Sequence, residues 1–128
     1  MKFVHTLCFL LAALFLLSSV SIAVAEDDKS DDGPPYTIKE VMIIGHKDGL
    51  LKKILADEAT QAEKLKLLDL YISMVEADPS KGDLQSWRLL AGQAAVAAAK
   101  VAVGREGATA ELKKASNCAA CHKPHKGK

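Results

Sequence analysis

Cys118-Ala119-Ala120-Cys121-His122 lies almost at the end of this 128-residue chain, and the segments ahead of it read as its scaffold. On a helix, positions 118, 121 and 122 stand at i, i+3 and i+4, so two sulfurs and one imidazole project from a single face. Two thiols and a histidine at that spacing form the attachment signature of a c-type haem: each thiol adds to a vinyl group and the imidazole ligates iron. Such a face grips one edge of a macrocycle twice and aims a nitrogen at its centre.

Two other chemistries use cysteines three apart. A zinc site wants a second ligand pair, and the sequence supplies none; His122 and His125 with the two sulfurs would crowd four ligands into eight residues stiffened by Pro124. A redox dithiol opens a helix after a strand, where the helix N-terminus lowers the thiol pKa. The spacing here instead puts the motif at the close of the last helix.

At the other end, Lys2, a dense apolar run from Phe9 to Leu17 and Ala23-Val24-Ala25 before Glu26 read as a secretory signal peptide over residues 1–25. An uncleaved membrane anchor is the alternative, since about 20 apolar residues span a bilayer. Cleavage removes Cys8, so the mature chain keeps Cys118 and Cys121 and has no thiol left for a disulfide framework. The expected destination is the periplasm or another exported compartment.

Formal charge gives no sign of a nucleic-acid partner, and none is expected. Of 17 Lys and Arg, Lys2 leaves with the leader, which matches the basic count to the 16 Asp and Glu and leaves a neutral mature chain without a basic stripe. The distribution is uneven. Glu26, Asp27, Asp28, Asp31 and Asp32 make residues 26–35 an acidic linker ending in Gly33-Pro34-Pro35, whereas Lys113, Lys114, Lys123, Lys126 and Lys128 crowd the haem end, a suitable patch for an acidic redox partner. No acid–base pair or nucleophile constellation points to an enzyme.

From residue 36 onward the pattern is helical. Thr37 with Glu40 and Thr60 with Glu63 are capping boxes. The first predicts a helix from about 37 to 55 with a soft point at Gly49; the second starts a helix carrying Leu65, Leu68, Ile72 and Val75, ended by Asp78-Pro79-Ser80-Lys81-Gly82. Asp83 caps a third helix with Leu84, Trp87, Leu90 and Ala91 on its inner side, followed by an alanine-rich run through Ala102 and a stop at Gly104. The fourth is expected from about 109 to 122, with Leu112, Ala115, Ala119 and His122 on one buried stripe and Pro124 fixing its end. No segment alternates as a strand does. The expectation is an all-α, antiparallel up-and-down four-helix bundle enclosing one covalently attached haem, over residues 36–128.

With a leader, four helices, one Cys-x-x-Cys-His at the C-terminal end and Lys126 four residues beyond the histidine, the mature chain resembles cytochrome c prime and its low-spin relatives, the class II cytochromes c. The resemblance implies haem c, thioether bonds at Cys118 and Cys121, His122 as proximal iron ligand, Lys126 near the haem edge and, in some relatives, pairing into a homodimer. The small cytochromes c with an N-terminal motif and a distant methionine ligand are excluded, because no methionine follows His122.

In such a bundle the first helix covers the opposite haem face, and Met42 is its one methionine. Met42 stands where low-spin relatives supply a thioether, which makes the chain an electron carrier with iron bound by His122 and Met42. His46, one turn on along the same face, is the rival. With the distal side open, the protein is instead a five-coordinate binder of nitric oxide or carbon monoxide.

Overall fold

The computed structural model describes residues 33–127, all within the unit Asp31–Lys128. The expected signal peptide over residues 1–25 lies outside the described residues, as does the acidic linker up to residue 32; its last residues, Gly33-Pro34-Pro35, are non-helical and lead into the first cap.

Every regular element among the described residues is helical: α1 (Ile38–Val41), a π-helical segment (Met42–Lys47), α2 (Leu50–Leu55), α3 (Gln61–Glu76), α4 (Leu84–Ala102), α5 (Ala108–Ala115) and α6 (Cys118–His125). Both capping boxes form. Glu40 N–H donates to Thr37 Oγ1 at 3.3 Å while Thr37 N–H donates to the Glu40 carboxylate at 2.8 Å. Thr60 and Glu63 repeat this at 3.3 and 2.7 Å, satisfying helix-terminal donors that have no partner inside the helix. Glu63 also receives Lys53 Nζ at 2.6 Å, tying the end of α2 to the start of α3. The hydrogen bond from Lys53, followed by those from Thr60, holds the Glu63 carboxyl down at about 2. Asp83 caps α4 by accepting Ser86 N–H at 2.7 Å.

α3 and α4 run in opposite directions. Gln61 Nε2, at the start of α3, donates to Ala102 O at the end of α4 at 2.8 Å. At the other end Trp87 Nε1 donates to Met74 O, 3.0 Å away. α4 packs against α3 and α5, α2 packs against α3 and α5, and α1 packs against α3. Their shared core holds Val41, Leu51, Ile54, Leu67, Leu70, Tyr71, Trp87, Leu112 and the small residues Ala91, Ala94, Ala97 and Ala98. Each large aliphatic side chain buried there contributes roughly 1.5–3 kcal/mol of transfer free energy. None of the described helices is long and apolar enough to cross a membrane.

Two expected helices are broken. The one expected over 37–55 is interrupted after Lys47: Asp48 N–H bonds back to Ile43 O at 2.8 Å, and Gly49 takes φ +88° before α2 restarts. That left-handed conformation is open to glycine because it lacks Cβ, so the soft point is a true break. The helix expected over 109–122 ends at Ala115. Ser116 Oγ donates to Leu112 O at 2.7 Å, and Asn117 Oδ1 accepts Ala119 N–H at 3.0 Å, starting a new helix. The expected stripe of Leu112, Ala115, Ala119 and His122 is therefore divided, and Ala119 and His122 are exposed. Nor does the last helix stop at His122; it continues through Pro124 to His125.

Thr60→Ala removes one half of the second capping box and should lower stability by about 1 kcal/mol. The check is urea unfolding followed by far-ultraviolet circular dichroism, with the midpoint moving down and the slope unchanged.

Candidate functional site

A cleft of about 1560 Å³ opens between the start of the first helical stretch, the α3–α4 connection and α6. Small-molecule sites usually span roughly 300–1,000 Å³, so its size suits a large cofactor. Cys118, Cys121 and His122 line one wall, Met42 and His46 line another, and Tyr71, Met74, Trp87 and Ala94 supply core side chains between them. Lys126, exposed at the end of α6, also borders the cleft, as do Lys39 and Lys47. The sequence-expected residues thus come together, although they arise from opposite ends of the domain.

α6 is positioned by His125. This residue is 4% exposed, with Nδ1 3.1 Å from Lys81 O and Nε2 3.1 Å from Ser86 Oγ. Because a carbonyl only accepts, Nδ1 donates and Nε2 accepts the Ser86 hydroxyl proton. The imidazole meets the Trp87 indole edge-on, with centroids 5.5 Å apart and an interplanar angle of 70°. Gly82 makes this approach feasible: at φ +87° it would place a Cβ 2.5 Å from His125 Nδ1 and 2.6 Å from Pro124 O. Sequence reading missed His125 as an anchor, because its partners Lys81 and Ser86 are 44 and 39 residues away in the chain.

Both thiols are free; Cys118 is exposed and Cys121 half-buried. Burial, then the neighbouring Cys118, pushes the Cys121 thiol up. Cys118 does open a helix, contrary to the expected position of the motif at a helix close. Among the described residues no three His, Cys, Asp or Glu side chains cluster as a metal site by themselves. The donor set fits a macrocycle that brings its own in-plane nitrogens: two thiols for its edge and an imidazole for its iron, all on one cleft.

Across the cleft, Met42 is half-buried and packs against the core. His46, also half-buried, has Nε2 3.3 Å from the Tyr71 hydroxyl. The two rings lie 5.9 Å apart at 31°. Burial, then the charge of His122, pushes the His46 pKa down. Tyr71 is raised by burial and then by the Cys121 and Cys118 charges, so its hydroxyl stays protonated. Tyr71 was absent from the sequence-based candidates because an aromatic on an apolar helix stripe reads as core.

No family model matches the chain, and no curated protein and no solved structure matches it. Residue chemistry and placement therefore carry the assignment.

Gly82→Ala should force His125 and Pro124 away from the α3–α4 connection and free α6. Hydrogen exchange should show lost protection in residues 119–126 with α3 protection retained; unchanged protection at the motif would dismiss the clasp.

A second expectation concerns pH. His46 has a folded pKa below the unfolded 6.5, so the unfolded chain binds the proton more readily and stability rises with pH across that interval. The contribution is fully present above about 6.5 and is lost as pH falls through the lower folded value. Urea midpoints of the haem-free chain should drop between pH 7.5 and pH 5, by less in His46→Gln than in wild type.

Proposed function

We propose that the chain is an exported mono-haem c-type cytochrome that transfers electrons, its helices forming an antiparallel four-helix bundle around the cofactor. The observation that carries this reading is the convergence of Cys118, Cys121 and His122 on the same large cleft as Met42 and His46. The resemblance of the mature chain to class II cytochromes c supports it as well.

Cys118 and Cys121 would hold the macrocycle through thioethers, and His122 would be a ligand to its iron. Haem c supplies one-electron chemistry at that iron. The first helical stretch covers the distal side, where Met42 is the thioether expected from the sequence and His46 borders the same space. A second ligand from this stretch would let the iron keep one coordination in both oxidation states, which would keep reorganisation small. Tyr71, Met74, Trp87 and Ala94 exclude water from the buried edge. Lys126, Lys39 and Lys47 give the cleft mouth a basic border on which an acidic redox partner can dock. No nucleic-acid contact and no membrane contact after leader removal belong to this role.

The test is production of the full chain in an export-competent host with a c-type maturation system. The mature protein should be coloured, carry one porphyrin mass and keep its haem in acidified organic solvent. Cys118→Ala or Cys121→Ala should each weaken that attachment, and the double variant should release the haem entirely. A colourless wild-type protein with two free thiols would reject the assignment. A broad high-spin spectrum that changes on adding carbon monoxide would select the five-coordinate, gas-binding form of the same haem protein.

A further inference from the structure

We infer that His46, rather than Met42, supplies the second axial bond, making a bis-histidine haem in which Tyr71 positions the distal imidazole. This rests on the haem assignment above and deepens it.

The two candidates differ in what accounts for their burial. Met42 is one of the partly buried hydrophobics packed against the core, so its place is explained by core packing. His46 is a polar ring half-buried at the cleft, and its hydrogen-bonding partner among the described residues is the Tyr71 hydroxyl. A titratable side chain placed there without an acidic partner needs another use.

The contact with Tyr71 defines which edge of the ring faces the cleft. Tyr71 is 1% exposed and fixed by the core of α3, so its hydroxyl is a rigid reference point. It lies against His46 Nε2, and the same cleft is lined by Cys118, Cys121 and His122. With the proton on Nε2, that nitrogen donates to the Tyr71 hydroxyl oxygen, and Nδ1 of the neutral ring keeps the lone pair a metal would take. The downward shift of the His46 pKa by burial agrees with a neutral ring. Hydrogen-bonded partners that fix a ring's orientation are the usual support of a metal-binding histidine. Met42 has no comparable support. The functional consequence is a lower potential than a methionine ligand gives, because a thioether raises it. The chain would then serve low-potential electron donors.

Visible, near-infrared and electron paramagnetic resonance spectra of the oxidised, haem-loaded full chain test this. Wild type should be low-spin without the methionine-to-iron charge-transfer feature. Met42→Leu should remain low-spin. His46→Ala should become high-spin and return to low-spin on adding imidazole, a rescue that a misfolded variant would not show. Tyr71→Phe should keep its haem but lose the low-spin form at a less acidic pH than wild type. A methionine charge-transfer feature, a high-spin wild type, a high-spin Met42→Leu or a low-spin His46→Ala would overturn His46 as ligand while leaving the haem assignment standing. An unchanged acid transition in Tyr71→Phe would remove Tyr71 from the positioning role. A protein without haem would defeat both.

Discussion

The clasp between His125 and the Trp87 end of α4 sets where the motif helix can lie. Trp87 Nε1 donates to Met74 O and to Ala77 O, each at 3.0 Å, and so satisfies carbonyls that the end of α3 leaves without helical partners. Its ring then forms the surface on which His125 stands, while Lys81 O and Ser86 Oγ occupy both imidazole nitrogens. A buried imidazole with one nitrogen unpartnered would cost about 1–3 kcal/mol, so the two bonds together permit one seating of the ring. No buried side-chain nitrogen or oxygen among the described residues lacks a partner. Since His125 is three residues beyond His122, that seating also fixes the direction of the motif.

Around this point the composition of α4 becomes intelligible. Ala91, Ala94, Ala97 and Ala98 are buried, and small side chains let neighbouring backbones come close without leaving voids. Ala94 borders the cleft directly, where a larger side chain would narrow it. The outer side of the same helix leaves Leu89, Val96 and Val103 exposed at seven-residue spacing, a pattern of isolated surface apolar residues that the core arrangement does not require. The helix thus combines a packing face for α3 and α5 with one end devoted to the cleft and the clasp.

Much of this was legible in the sequence, because local signals and tertiary packing agree. Thr60, Glu63 and Asp83 announced the starts of α3 and α4, and Pro79 and Gly82 announced the turn between them. The interruption at Ser116-Asn117 was not read, although both residues favour side-chain bonds to backbone over helix continuation: Ser116 closes onto Leu112 O and Asn117 begins the next helix. Periodicity drew Leu112 and His122 onto one stripe because a period counts residues and is blind to a break. Pro124 misled in the other direction. Its missing N–H removes one bond, but His125 burial and the Lys126 N–H to His122 O bond at 3.1 Å carry the helix past it. Cys118, Cys121, His122, Met42 and His46, singled out in the sequence, all border one cleft; the contacts of Tyr71 and His125 were not legible, since both depend on partners 25 to 44 residues distant.

The cleft and the core are coupled through the same side chains, so a ligand of the cleft would act on the fold as well. Tyr71, Met74 and Trp87 are at once core residues and cleft lining. In the proposed holoprotein a planar apolar group at Cys118 and Cys121 would extend the core outward from these three, and anything that binds the folded chain alone stabilises it by mass action. A covalent tether strengthens that effect, because the group cannot dissociate when the chain opens. The converse follows from His46: a charged imidazole opposes the half-buried setting and would oppose the positive iron of the proposed haem, whereas a neutral one suits each. Acid therefore acts on the fold and on the site through one ring, and the stretch Met42–Lys47, wound more widely than the α-helix on either side, is where the two responses meet.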